Sequence, residues 1–152
     1  MRKISWLALA LWAVTIAAAG FVFIKGYTAP GDDGRTVIQL TKDEQTFVLS
    51  EMRGLLEAVR DITMALDDND MNAVADAVKD KGVAAMMRNT PMTIMAKIPA
   101  EFRGLGQEMH QGFDDIGAAA KAGDKAKVLS LLSGQLSRCV ACHGSFRLSG
   151  SP

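Results

Sequence analysis

The sequence predicts an all-α protein, in which an N-terminal transmembrane helix precedes an antiparallel four-helix bundle. Three observations support this fold class. The chain opens with one long apolar run, and the apolar residues that follow recur at steps of three and four, the spacing of a buried helix face. No later stretch alternates apolar and polar residues over a strand's length, and the predicted connections are mostly short, which favours antiparallel neighbours.

The N-terminal segment, residues 1–25, is predicted to be an uncleaved membrane anchor. Its apolar run, Ile4–Ile24, is about 20 residues long, which is enough to cross a bilayer as a helix. Arg2 and Lys3 favour a cytoplasmic start, which places the remaining domain in the periplasm of a bacterial inner membrane. The alternative is a signal peptide cleaved near Ala17–Ala19, which would release a soluble periplasmic protein. The anchor is favoured because the apolar run continues past these alanines.

The charged residues are balanced overall but unevenly distributed. The chain has 17 basic and 17 acidic residues, and the three basic residues before Gly31 have no acidic counterpart there. The exported part is therefore mildly acidic and lacks the basic footprint of a nucleic-acid-binding protein. A mildly acidic surface suits a redox partner protein that carries a basic patch.

The rest of the chain divides into three predicted parts. Residues 26–40 are rich in Gly, Pro and Asp and are predicted to be a linker that ends in a short extended lead-in. Residues 41–148 are predicted to form the bundle domain, and residues 149–152 a tail. The predicted bundle helices span residues 41–66, 71–87, 99–122 and 125–148, with a connection over residues 88–100.

Capping residues mark the starts of three of these helices. Thr41 and Glu44 have the spacing of a capping box, in which each side chain bonds the other residue's backbone N–H. Asn69 or Asp70 can cap the second helix, and Asp124 can cap the fourth.

The fourth predicted helix carries the motif with the clearest chemistry. Cys139, Cys142 and His143 form C-x-x-C-H, the signature of covalent haem attachment. On a helix, positions i, i+3 and i+4 share one face, so both thiols can bond one haem while the imidazole lies under its iron. The motif predicts one haem c, bound covalently by the two cysteines, with His143 as the proximal ligand.

Three other interpretations of the motif are weaker, and one of them is a chance match in an exported helical protein. A thioredoxin-like C-x-x-C lies at the start of a helix that follows a strand. The motif here lies near the end of a predicted helix, and no strand is predicted before it. A zinc site would need Cys139, Cys142, His143 and His110 around one ion. Three ligands within five residues cannot easily surround a tetrahedral ion.

The segment Leu136–Arg147 resembles the end of cytochrome c′ and its low-spin relatives, the class II c-type cytochromes. These are four-helix bundles with C-x-x-C-H on the last helix, and Phe146 and Arg147 follow His143 at the family's spacing. The resemblance implies that Arg147 lies near the proximal imidazole or a haem propionate. It also implies either a Met ligand from the first bundle helix or, in high-spin members, an open apolar site for small gases.

Met52 is the preferred distal iron ligand, because it lies on the predicted buried face of the first bundle helix. A simpler interpretation is that Met52 only fills the core, since Met packs readily there and the chain has nine methionines. An open sixth position is an alternative. His110, on the third bundle helix, is a further candidate as distal ligand or propionate contact.

These observations predict a membrane-tethered monohaem cytochrome that carries single electrons between redox partner proteins, and no arrangement typical of an enzyme is recognisable. One alternative is a five-coordinate protein that binds gases such as nitric oxide; another is a haem subunit docked on a respiratory complex. Members of the resembled family often pair through their first two helices, and Phe47, Leu49 and Leu56 permit such a homodimer here.

Overall fold

The computed structural model describes residues 2–149, so most of the predicted tail (150–152) lies outside the described residues. Helices account for most of this range, which confirms the mainly helical class. The bundle with its haem remains a prediction. The helices are α1 (Arg2–Lys25), α2 (Lys42–Asp67), α3 (Met71–Val78), α4 (Val83–Asn89), α5 (Met92–Lys97), α6 (Ala100–Lys121) and α7 (Lys125–Ser145); the strands are β1 (Thr28–Pro30), β2 (Thr36–Ile38) and β3 (Phe146–Leu148).

The N-terminal helix α1 differs from all the others in its surroundings. From Trp6 to Lys25 it is long and apolar enough to span a membrane or to serve as a signal sequence, and none of this window is buried inside the protein. Trp6, Trp12 and Phe21 are all well exposed. An all-round apolar helix is stable when lipid covers it.

The main core lies among four of the remaining helices. Helix α3 packs against both α2 and α6, and α6 packs against α7. Their inward residues follow the predicted three-and-four spacing, so the apolar pattern places them correctly. The buried core includes Ala58, Ile62, Leu66, Val74, Val78, Phe113, Ile116, Val128 and Leu132.

The predicted helix starts are confirmed by their caps. Thr41 and Glu44 form both bonds of the capping box at the start of α2. Asp70 accepts from Ala73 N at 3.0 Å to cap α3, and Asp124 caps α7 in the same way. Each cap satisfies a backbone N–H that has no partner within its own helix.

The second bundle helix is not continuous, in contrast to the prediction of one helix over residues 71–87. It ends at Val78, and α4 begins anew at Val83. Gly82 explains the break, because a Cβ at this position would collide with the Asp114 carboxylate. The Asp114 carboxylate instead accepts from Val83 N at 3.0 Å and so caps α4. The predicted connection that follows also contains a helix, α5.

Three short strands form where the sequence predicts none. In the predicted linker, β1 pairs antiparallel with β2, and β2 pairs parallel with β3 in the register Thr36 to Phe146. The fourth bundle helix therefore ends at Ser145 rather than Leu148. A second core cluster, formed by Ile38, Leu40, Ile94, Ile98 and Phe146, lies beside this sheet.

Candidate cofactor site

A cavity of about 160 Å³ lies between α2 and α7, next to β3. Met52 and His143, predicted to lie on opposite sides of one iron, both line it, together with Cys142. The structure therefore brings four of the predicted site residues together, Met52, Cys142, His143 and Arg147, whereas Cys139 is not among the residues that line the cavity. The complete lining consists of Arg35, Leu49, Met52, Phe102, Cys142, His143, Phe146, Arg147 and Leu148.

The two cysteines lie in the last turns of α7 as free thiols, each half-buried. Burial raises the pKa of both thiols, and for Cys142 the neighbouring Cys139 and Glu101 raise it further. Both groups are therefore neutral thiols near pH 7. A redox or nucleophilic cysteine needs the opposite, a lowered pKa that supplies thiolate, so this environment disfavours a thioredoxin-like role.

The end of α7 is held in place by the short strand that follows it. Phe146 donates its backbone N–H to Cys142 O, and its ring meets that of Phe102 edge-on, with 5.5 Å between the ring centroids. Edge-on aromatic pairs are favourable beyond the apolar area that they bury. Because β3 also pairs with β2, the segment after His143 cannot move freely, and the orientation of the motif is fixed.

Two arginines lie at the rim of the cavity, and each is paired with an aspartate. Arg35 donates from Nη1 to His143 O at 3.3 Å and also bonds Asp33. The hydrogen bonds from Arg35 hold the pKa of the Asp33 carboxyl below its usual range. Arg147 donates from Nη2 to Asp32 at 2.7 Å, while its buried Nε has no hydrogen-bond partner among the described residues. The nearest carboxylate oxygen to this Nε belongs to Asp33, at 3.5 Å.

His110 is not among the residues that line this cavity. Its Nδ1 lies 2.7 Å from Lys81 O, and since a carbonyl oxygen only accepts, this nitrogen carries the proton. Within residues 2–149, no three His, Cys, Asp or Glu side chains lie together as a metal site. The arrangement thus offers no ready zinc site. A haem iron needs no such cluster, because the porphyrin supplies four of its ligands.

A larger cavity of about 390 Å³ lies along the groove between α6 and α7, away from Met52 and His143. Its charged side chains are Glu108, Asp115 and Arg138, and it contains neither thiol nor imidazole. It is polar and shallow, so the smaller cavity is the better candidate site despite its volume.

Four residues that line the smaller cavity were not predicted to belong to the site: Arg35, Leu49, Phe102 and Leu148. Arg35 lies in the predicted linker, and only the pairing of β2 with β3 brings it to His143. Leu49, identified only as an exposed apolar residue, lies almost one turn before Met52, so its helical spacing was an available signal.

Comparison with known proteins gives no further identification, because no family model, no curated protein and no solved structure matches this chain.

Proposed function

We propose that this chain is a membrane-tethered monohaem c-type cytochrome that carries single electrons on the periplasmic side of a bacterial inner membrane. One observation supports this more than any other. Met52, from a helix some ninety positions earlier in the sequence, lines the same cavity as Cys142 and His143 of the C-x-x-C-H motif. The resemblance of Leu136–Arg147 to class II cytochromes points to the same function.

The residues around the cavity fit a covalently held haem. Cys139 and Cys142 would hold it through thioether bonds, with the imidazole of His143 and the thioether of Met52 as iron ligands. The Arg147 guanidinium lines the cavity and would bind a haem propionate in competition with Asp32 and Asp33, with which it pairs in this structure. When bound, the haem supplies a one-electron redox couple.

The protein side chains have two tasks in such a carrier. Phe102, Phe146 and Leu148 give one side of the cavity an apolar lining, while the His143 side chain itself is exposed to solvent. A Met/His ligand pair raises a haem's reduction potential. Arg35 holds the carbonyl of His143 and so keeps the end of α7 in place. A fixed ligand geometry suits electron transfer, since no bond then has to form or break.

The test begins with the intact mass and the visible spectrum of the full-length protein, matured in a host that attaches haem. We expect the mass of the chain plus one haem, and a low-spin spectrum that does not change under carbon monoxide. A colourless protein with the mass of the bare chain would refute the proposal. A high-spin spectrum with ready carbon monoxide binding would instead identify the gas-binding alternative.

Met52→Ala tests the distal ligand, and Met64→Ala is its matched control. Both residues are methionines of α2, but Met64 is 59% exposed and lies outside the cavity. We expect Met52→Ala to convert the spectrum to high-spin and to lower the reduction potential, while Met64→Ala leaves both unchanged. Identical spectra for the two variants would remove Met52 from the iron.

A further inference from the structure

The end of the apolar helix α1 is fastened to the globular domain by one arginine. Arg103, in the first turn of α6, donates from Nη2 to Phe23 O at 2.9 Å. Its guanidinium carbon also lies 4.0 Å from the centroid of the Phe23 ring, within cation–π range. The last carbonyls of a helix have no partner inside it, so Arg103 satisfies a group that would otherwise need water.

The other side of the same guanidinium is bound to the domain. Arg103 Nη1 donates to Ile98 O at 2.8 Å and to Met95 O at 3.0 Å. Directly after α1, Tyr27 donates its N–H to Lys97 O at 2.7 Å. The guanidinium therefore connects the end of α1 with the backbone of residues 95–98. The segment that directly follows α1 is hydrogen-bonded to the domain as well.

The joint between α1 and the domain is formed by Phe23, Gly26 and Tyr27 on one side and by residues 97–99 and Arg103 on the other. The close approach of these two backbone segments depends on Gly26. It has a positive φ of 64°, and a Cβ there would lie only 2.7 Å from Pro99 N. A left-handed backbone and such close contact are both tolerated by glycine alone. The joint is therefore packed rather than loose, in contrast to the predicted linker.

This joint sets the height of the candidate site above the membrane. Phe23 belongs to the apolar span Trp6–Lys25, so its carbonyl lies near the membrane surface. Phe102, the neighbour of Arg103, lines the cavity of Met52 and His143. Phe102 and Phe146 pack in the same apolar cluster as Ile98, whose carbonyl oxygen accepts from Arg103. The cavity therefore lies at the end of the domain to which α1 is joined, and an α1 that spans the membrane would hold it near the membrane surface.

We propose that Arg103 is a positioning residue that locks the domain on its membrane helix, and that the electron partner is consequently a membrane-embedded redox protein whose redox centre opens at the same surface. The proposal rests on the proposed function. A domain on a flexible linker can reach soluble carriers over a wide volume. A braced domain is confined to one height and orientation, which raises the effective concentration of its site toward partners in the membrane plane.

The first experiment measures the lock itself in the full-length protein, reconstituted in lipid nanodiscs. Spin labels at Gly20→Cys in α1 and Thr63→Cys in α2 report the distance between the membrane helix and the domain. We expect a narrow distribution that Arg103→Ala broadens, whereas the control Arg60→Ala, which removes an equally charged but exposed side chain, leaves it narrow. Equal widths in the two variants would overturn the lock.

The second experiment measures the partner in open inner-membrane sheets that contain the full-length haem protein as their sole tethered cytochrome, so that NADH reaches the cytoplasmic face and ascorbate the periplasmic face. Reduction after addition of NADH and reoxidation by oxygen are followed in the visible spectrum, with ascorbate as a soluble reductant. We expect Arg103→Ala to slow reduction or reoxidation on the order of tenfold while the ascorbate rate is unchanged, and Arg60→Ala to change none of these. Unaltered membrane-linked rates in Arg103→Ala would overturn the partner assignment.

The two proposals fail in different ways. A protein without haem would refute the proposed function through its spectrum. With Cys139→Ser and Cys142→Ser added to that protein, only the two introduced thiols can be labelled, so the spin-label distances would still report whether Arg103 locks the domain. A normal spectrum combined with unaltered distances would refute only the lock.

Discussion

Replacing Gly112 with alanine tests how tightly α6 and α7 pack. Gly112 is buried, and an added Cβ would lie 2.6 Å from Cδ of Gln135. The Gln135 amide is itself completely buried: its Nε2 donates to Met109 O at 2.6 Å, and its Oε1 accepts from Arg138 at 2.9 Å. The side chain therefore cannot swing away without giving up both hydrogen bonds.

The magnitude of the Gly112→Ala effect combines three contributions. Crowding a well-packed core costs about 1–3 kcal/mol. Displacing the Gln135 amide leaves a buried polar group without a partner, which costs about 1–3 kcal/mol. In the opposite direction, alanine in a helix is more stable than glycine by about 0.5–1 kcal/mol. We expect the free energy of unfolding to fall by about 1–5.5 kcal/mol, which lowers Tm by roughly 2–4 °C per kcal/mol for a protein of this size.

Gly104→Ala is the matched control, because it makes the same change on an exposed face of the same helix, where nothing lies within 4 Å of the added Cβ. It should raise stability slightly, by about 0.5–1 kcal/mol. The assay is thermal unfolding followed by circular dichroism at 222 nm, on both full-length variants in one detergent. If Gly112→Ala were as stable as Gly104→Ala, the account of α6–α7 packing would be wrong.

Two further predictions concern the caps. Asp114→Ala removes the carboxylate that accepts from Val83 N, so it should lower the free energy of unfolding by about 0.5–2 kcal/mol, measured by urea unfolding; an unchanged midpoint would contradict the role given to this cap. The hydrogen bond from Lys97, and then that from Thr41, lowers the pKa of Glu44 from its usual 4.5. The ionised Glu44 therefore stabilises the fold fully above that usual value and loses this contribution as the pH falls through the lowered folded-state pKa. Glu44→Gln should accordingly be less stable at neutral pH and lose less stability on acidification, and parallel pH profiles for the two proteins would contradict this.

Local signals in the sequence predicted the starts of α2, α3 and α7 correctly. The capping box of Thr41 and Glu44 and the caps at Asp70 and Asp124 act over three residues, so their effect can be seen in the sequence alone. The three-and-four spacing also identified the buried positions of the main core, such as Ile62 and its neighbours.

The features that the sequence did not reveal depend on contacts between distant residues. The break at Gly82 exists because Asp114, thirty-two positions later, occupies the space of a Cβ. The strands are only three residues long, and β2 needs β3 as its neighbour. Periodicity cannot reveal either feature, because neither leaves a repeating pattern within a short window.

The candidate site also combines features that local sequence reveals with features that depend on contacts between distant residues. The C-x-x-C-H motif is local and could be read from the sequence, and the helical spacing of Met52 marked it as inward-facing. That Met52 lines the same cavity as His143, and that Arg35 reaches the His143 carbonyl, depends on the tertiary fold.

The parallel pairing of β2 with β3 joins the strand that follows α7 to the segment that precedes α2. This pairing closes a loop of roughly 110 residues, and the conformational entropy that is lost on closure is not offset by local contacts. We therefore expect β3 to pair with β2 late in folding. Cys139 and Cys142 lie just ahead of that strand. Until it pairs with β2, we expect both thiols to be more accessible than in the folded domain, where each is half-buried.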